Sequence, residues 1–268
     1  IAMDHLGVGT SDKPIDLDYY TFDDHADRLE RFMDALDLHD FNFFVQDWGS
    51  VIGLYVAAGD LDRYRRIIVG NGGLPVVTQR SEPPEDLEAS NAAFHQTLLS
   101  IPDLQPPFFD ADGNPILVGG DPGEGPEPFG QWVAYAKTSE DFQPSIMCEA
   151  LTYYPLTEAE EYAYDAPYPH RISMAGARMF PSLRDELVGL TQERKDTLRT
   201  YDRPFLTIFG ANDPGLSGEG DDQQWMIENI AGAEGQPHER IPDGSHFFQD
   251  DKGFEVAAMV DDFIRRTP

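Results

Sequence analysis

The sequence predicts an α/β fold, with a mostly parallel sheet flanked by helices and a helical segment inserted partway along the chain. Three observations carry this expectation. Short β-rich runs alternate with helix-length apolar segments near both ends, the rhythm of strand–helix–strand units. A middle stretch rich in Pro, Gly and acids breaks that rhythm. Three candidate reactive side chains each follow a predicted strand directly, the edge at which open α/β sheets gather their sites.

FNFFVQ (41–46) and RRIIVGN (65–71) are β-rich, and GSVIGLYVAAGD between them has the apolar content and length of a buried helix. Ahead of them, TFDDHADRLERFMDALDL places Phe22, Ala26, Leu29, Phe32, Met33 and Leu36 at helical spacing, with Thr21 as N-cap. Beyond Pro204, FLTIFG reads as a buried strand, DDQQWMIENIAG as a helix, HERIP as a strand and FEVAAMVDDFIRR as a closing amphipathic helix. From about residue 76 to 200 the chain carries QPPFFDADGNPILVGGDPGEGPEP and then helix-like segments around 128–136, 157–164 and 171–179. That stretch reads as a cap over the strand ends, partly loop. The expected division is residues 1–75 as the first part of the core, 76–200 as the cap insertion and 201–268 as the second part of the core. Ile1 is not an initiator Met, and IAMD resembles the last residues of a strand. The sequence therefore predicts that strands N-terminal to it are missing.

The formal charge is −30, from 49 acidic and 19 basic residues, and lysine occurs only at 13, 137, 195 and 252. Such a field repels phosphates and anionic lipid, which argues against nucleic-acid and membrane-surface partners. An acidic surface poor in lysine fits a salty environment, and it fits a plain solubility device equally well. Cys148 is the only cysteine. It leaves no intrachain disulfide and no cysteine cluster for zinc, and a reduced thiol, buried or half-buried, is expected. No apolar run approaches the roughly 18 residues that span a bilayer. IAMDHLGVGTSDKP lacks the basic start and apolar core of a signal peptide. A soluble, cytoplasmic protein is expected, with the periplasm left open.

In FNFFVQDWGS, Asp47 falls between a strand and a helix, with Gly49 and Ser50 supplying small side chains for a tight turn. Hydrolases built on such sheets place a nucleophile at this turn, where helix-start N–H groups face developing negative charge. Taken alone, Asp47 reads more simply as an N-cap. Asp213 in ANDPG and His246 in GSHFFQ also follow strands. A histidine there can take a proton from water while a carboxylate on its other nitrogen fixes the tautomer. The chain order Asp47, Asp213, His246 turns three ordinary loop residues into one expected site.

VQDWG, the stretches DHLGVGTSDKP and YTFDDHADRLERFMDALDL before it, FGANDPG and DGSHFFQ resemble the haloalkane dehalogenases. These are α/β-hydrolases, and the likeness is to the subgroup whose triad acid is an Asp. It is strongest over residues 4–80 and 200–265 and weaker in the cap. The resemblance implies that Asp47 is the nucleophile, Asp213 the acid, His246 the base and Trp48 the first halide-binding residue. The subgroup's second halide donor is a cap tryptophan, a place that Trp132 in FGQWVAY matches, whereas Trp225 reads as packing. Indole N–H groups donate and never accept, which suits a leaving halide. The implied reaction converts a small halogenated aliphatic substrate and water to alcohol, halide and a proton through an aspartyl ester, without metal or organic cofactor. Oligomeric state stays open.

Epoxide hydrolases share the Asp nucleophile and the D-W-G turn but polarise the epoxide oxygen with cap tyrosines, and Tyr135, Tyr153 and Tyr154 are candidates. Trp132 and Gln46 favour the dehalogenase. A non-catalytic relative is a third reading, opposed by the intact Asp/Asp/His set. The family also carries an upstream His-Gly-x-Pro type loop completing an oxyanion hole with the Trp48 N–H. Since this loop is not in the chain, family identity and the activity of this chain are separate expectations.

Overall fold

The computed structural model describes residues 1–100, 128–213 and 222–267. They form two compact units, one of Ile1–His25 with Val77–Val188 and one of Ala26–Val76 with Gly189–Pro268. The Pro- and Gly-rich run at 105–127, expected to be loop, lies outside the described residues.

The second unit carries the sheet. Its described strands are β1 (Phe41–Gln46), β2 (Tyr64–Gly70), β3 (Phe205–Gly210) and β4 (Glu239–Ile241), in the order β1-β2-β3-β4 and all parallel. The register sets Gln46 beside Gly70, Gly70 beside Ile208 and Gly210 beside Ile241, so the strands end near one line. Ile67, Ile68 and Val69 on β2 are fully buried, and all of β3 is buried. That is the continuous apolar pattern of strands covered on both faces.

Helices fall where the pattern asks for them at Phe22–Ala35, Trp48–Ala57, Asp222–Asn229 and Phe248–Arg266, whereas the helix at Gln192–Leu198 was not expected. α1 (Phe22–Ala35) starts with the Asp24 N–H donating to Thr21 Oγ1 at 3.2 Å, the expected N-cap. It ends one residue before Leu36, which is 46% exposed rather than part of the apolar stripe. The cause is a Schellman closure: Asp37 takes a φ of 49°, its N–H bonds the Asp34 carbonyl, and the Leu38 N–H bonds that of Met33. α2 (Trp48–Ala57) packs on β1, and a Cβ at Gly53 would lie 2.8 Å from Val45 Cγ1. α8 (Gln192–Leu198) meets α9 (Asp222–Asn229) through Trp225, whose ring centre lies 4.2 Å from Lys195 Nζ and 5.0 Å from Arg199 Cζ. α10 (Phe248–Arg266) is interrupted by non-helical geometry at Lys252 and covers the sheet with Phe248, Val256 and Phe263 against Ile68, Leu206 and Ile208.

The first unit is helical. Besides the start of α1, it contains α3 (Leu87–Ser100), α4 (Pro128–Thr138), α5 (Pro144–Ala150), α6 (Glu158–Asp165) and α7 (Ala175–Met179), with 3-10 turns at Arg171–Met174 and Phe180–Leu187. Phe94, Leu98, Tyr135, Phe142 and Met147 form its main core. α6 opens on a capping box, with Thr157 N–H donating to Glu160 Oε2 at 2.7 Å and Glu160 N–H to Thr157 Oγ1 at 3.4 Å. Residues 1–4 are not a strand: Asp4 closes a turn instead, its carboxylate accepting the Thr10 N–H at 2.8 Å and hydroxyl at 2.9 Å. Cys148 is buried. No helix among the described residues is long and apolar enough to cross a membrane.

The close approach of β3 to the residues before His246 gives a test. A Cβ at Gly210 would lie 2.7 Å from the Gly244 carbonyl carbon and nearer still to the Ser245 oxygen, both backbone atoms that cannot swing aside. Gly210→Ala is expected to destabilise the fold by about 1–3 kcal/mol. In urea titration the midpoint should fall with little change in slope, and an unaltered midpoint would contradict the packing described.

Candidate active site

β1 ends at Gln46 and α2 begins at Trp48, so one residue, Asp47, makes the reversal. Its φ of 47° and ψ of −129° lie in a region that side-chain-bearing residues rarely adopt. The surroundings hold it there. The Asp47 N–H donates to the Asn71 carbonyl at 3.1 Å, while the Asp47 carbonyl accepts the Ser50 N–H at 2.8 Å and the Ser50 hydroxyl at 2.6 Å. Ser50 Oγ also accepts the Gly73 N–H at 2.8 Å. The glycine this turn needs is Gly72, where a Cβ would sit 2.9 Å from Asp47 N and against Ser50 Oγ. At Gly49, expected from the sequence to be the small residue of the turn, a Cβ would meet nothing within 4 Å among the described residues.

The side chain of Asp47 makes no capping hydrogen bond to α2 and is 38% exposed. Its simpler reading as an N-cap therefore fails on geometry. Asp47 Oδ1 lies 3.4 Å from Nε2 of His246, whose Nδ1 lies 2.9 Å from Asp213 Oδ2. A carboxylate only accepts, so Nδ1 carries the proton toward Asp213. His246 and Asp213 are buried. The loops that bring them together are tied to each other: the Asn212 N–H donates to the Gly244 carbonyl at 3.0 Å and the Ser245 hydroxyl to the Asn212 carbonyl at 3.0 Å. Burial opposes the imidazolium, yet the charges of Asp213 and Asp47 outweigh it and raise the His246 pKa well above 6.5.

Of the expected site residues, the fold gathers Asp47, Asp213 and His246 within hydrogen-bonding or ion-pair distance of one another, and Trp48 adjoins them in the chain as the first residue of α2. Trp132 belongs to the helical unit, stacked on Phe94 at 5.8 Å and Phe142 at 6.1 Å. Among the cap tyrosines, Tyr135 is fully buried, its hydroxyl 2.8 Å from His95 Nδ1 and donating to the Asp141 carbonyl at 3.2 Å. Burial pushes its pKa up to about 12. Tyr153 and Tyr154 pack edge to face on each other at 5.0 Å. Sequence reasoning did not give a site role to Asn71 or Ser50. The signal for Asn71 was available, since it follows β2 at the same sheet edge. Among the described residues, no group of three His, Cys, Asp or Glu side chains could hold a metal ion.

The chain is similar to several known proteins. Residues 1–98 match the family of the alpha/beta hydrolase fold. Haloalkane dehalogenase 1 of Mycobacterium bovis is 34% identical over 265 residues, covering 97% of this chain and 72% of the relative. A haloalkane dehalogenase of Psychrobacter cryohalolentis is 30% identical over 273 residues, covering 100% of this chain and 75% of the relative. Among solved structures, a haloalkane dehalogenase of Agrobacterium tumefaciens superposes with a TM-score of 0.67 at 19% identity, over 98% of this chain and 78% of that one. A tetrameric one from Paraglaciecola agarilytica gives 0.63 at 22% identity, over 95% and 71%. At these identities the structural matches speak for the α/β-hydrolase fold.

The two carboxylates facing His246 generate a pH signature. Its folded pKa is raised, so the stability it contributes is complete below its ordinary value of 6.5 and is lost as pH rises through the folded value. An imidazole NMR titration is expected to give a midpoint above 6.5, moving down in Asp213→Asn. A midpoint at or below 6.5 in the unsubstituted protein would rule out the electrostatic arrangement.

Proposed function

The chain belongs to the haloalkane dehalogenases, and we propose that it hydrolyses small haloalkanes to alcohol and halide through an ester on Asp47. What supports this most directly is a carboxylate free of any capping bond to α2, 38% exposed at a strained turn, 3.4 Å from an imidazole that is itself backed by a second carboxylate. In the first step an Asp47 oxygen attacks the halogen-bearing carbon, a C–O bond forms, and halide leaves with the electron pair of the C–X bond. In the second, water attacks the Asp47 carboxyl carbon, His246 Nε2 takes its proton, and the C–O bond to the carboxyl carbon breaks to release the alcohol. The balance is haloalkane plus water to alcohol, halide and a proton.

The charges around His246 suit this order. Ester formation neutralises Asp47 and so withdraws one of the two carboxylates that hold the imidazole protonated. His246 gives up its proton more readily just when a base is needed, while Asp213 keeps the ring oriented. Halide binding calls for donors without acceptors, and we assign it to the indoles of Trp48 and Trp132 on the strength of the family resemblance. Residues 76–200 are taken as the cap, inserted between core segments 1–75 and 201–268. The epoxide reading receives less support, since the Tyr135 hydroxyl is engaged inside the helical core.

Halide release from 1,2-dibromoethane is the test, with Asp47→Ala beside the unsubstituted protein. The substitution is expected to lower the rate by at least about a thousandfold. Opening of styrene oxide without halide release from the dibromide would replace this function with epoxide hydrolysis.

A further inference from the structure

We propose that Asn71, seconded by Gln46, is a positioning residue that sets His246 against Asp47. Asn71 follows β2 and is fully buried. Its Nδ2 donates to the carbonyls of Ser245 at 2.6 Å and His246 at 2.8 Å, and its Oδ1 accepts the Gly210 N–H at 2.7 Å. Its own carbonyl accepts the Asp47 N–H at 3.1 Å. One residue thus touches the backbone of the nucleophile, the backbone of the base and the strand end that leads to Asp213. Gln46 Nε2 donates to the same His246 carbonyl at 3.1 Å, from the residue immediately before Asp47.

Two side-chain amides therefore converge on one carbonyl, that of the residue whose ring must reach Asp213 and Asp47 together. The requirement is for donors. A carboxylate at 71 would set acceptors against two carbonyl oxygens, and an apolar residue would leave both carbonyls and the Gly210 N–H without this partner in a buried setting. Neither amide reaches the atoms that react, so both act through the His246 backbone. A shift of about 1 Å in a catalytic group can cost on the order of a hundredfold in rate, and these bonds restrain such a shift.

The consequence is selective, and it rests on the proposed dehalogenase cycle. Displacement of halide uses Asp47 and the halide donors, whereas hydrolysis of the ester also needs His246. Loss of the amides should fall on the second step.

Rapid-mixing measurements of bromide and 2-bromoethanol from 1,2-dibromoethane separate the two steps. The variants are Asn71→Gly, which tolerates the φ of 27° at this position, and Gln46→Met, which keeps the length and removes the donor. For Asn71→Gly, the bromide burst per folded molecule is expected within about threefold of the unsubstituted protein, with alcohol release on the order of ten- to a hundredfold slower. Alkylated protein should accumulate, as seen by intact mass. Gln46→Met should show the same split, with alcohol release slowed by roughly threefold or more. An equal loss in both steps, or an unchanged ratio of the two rates, overturns the positioning role. If Asn71→Gly fails to fold, Gln46→Met decides by the same criterion. An unsubstituted protein that releases no bromide overturns the dehalogenase function and the positioning role with it, whereas normal turnover with an unchanged ratio in the variants overturns the positioning role alone.

Discussion

Everything in the site depends on the register of four parallel strands. Gln46, Gly70, Gly210 and Ile241 end their strands near one line, and the residues that leave the sheet there are the ones that meet. Backbone hydrogen bonding along β1 to β4 is thereby converted into the proximity of side chains far apart in sequence. Asp47 leaves β1 directly, Asn71 leaves β2, Asp213 follows β3 and His246 follows β4. The sheet can hold this register because β2 and β3 are apolar enough to be covered on both faces, by helices such as α2 over β1 and by the apolar side of α10.

On that frame the local chemistry resolves into strain and charge. Asp47 occupies a backbone conformation that costs on the order of 1–3 kcal/mol, held by Ser50, Gly72 and the Asn71 carbonyl, and in return its carboxylate is kept off the helix it precedes. His246 is buried between two carboxylates, so its proton affinity follows their charge. Under the proposed cycle, alkylation of Asp47 would remove one of the two charges that raise the basicity of His246. Geometry and electrostatics thus arise from the same strand ends.

Much of this was legible in the sequence, for identifiable reasons. FNFFVQ, RRIIVGN and FLTIFG are contiguous β-rich runs, and each reactive residue follows a strand closely enough for its place at the sheet edge to be inferred. Thr21 announced the start of α1, although Leu36 did not follow, because the Asp37 turn closes the helix first. α3, α5 and the 3-10 turn at Phe180–Leu187 were not singled out: α3 has little local period, and the other two are only seven and eight residues long. Gly49 was preferred over Gly72 because it sits in the motif, while the crowding that demands a glycine comes from Ser50 across the turn. The bonds of Asn71 were beyond reach for a similar reason: its partners lie 139 to 175 residues away, and no spacing rule connects them.

The central claim is that Asp47 becomes covalently alkylated and that His246 is needed only to release the alkyl group. The most direct measurement is peptide mapping by mass spectrometry after a His246→Phe variant has been mixed with 1,2-dibromoethane. One equivalent of bromide per protein is expected, with a bromoethyl ester on the peptide containing Asp47 that persists because the base is gone. An unmodified Asp47 peptide, or an adduct on any other residue, would contradict it.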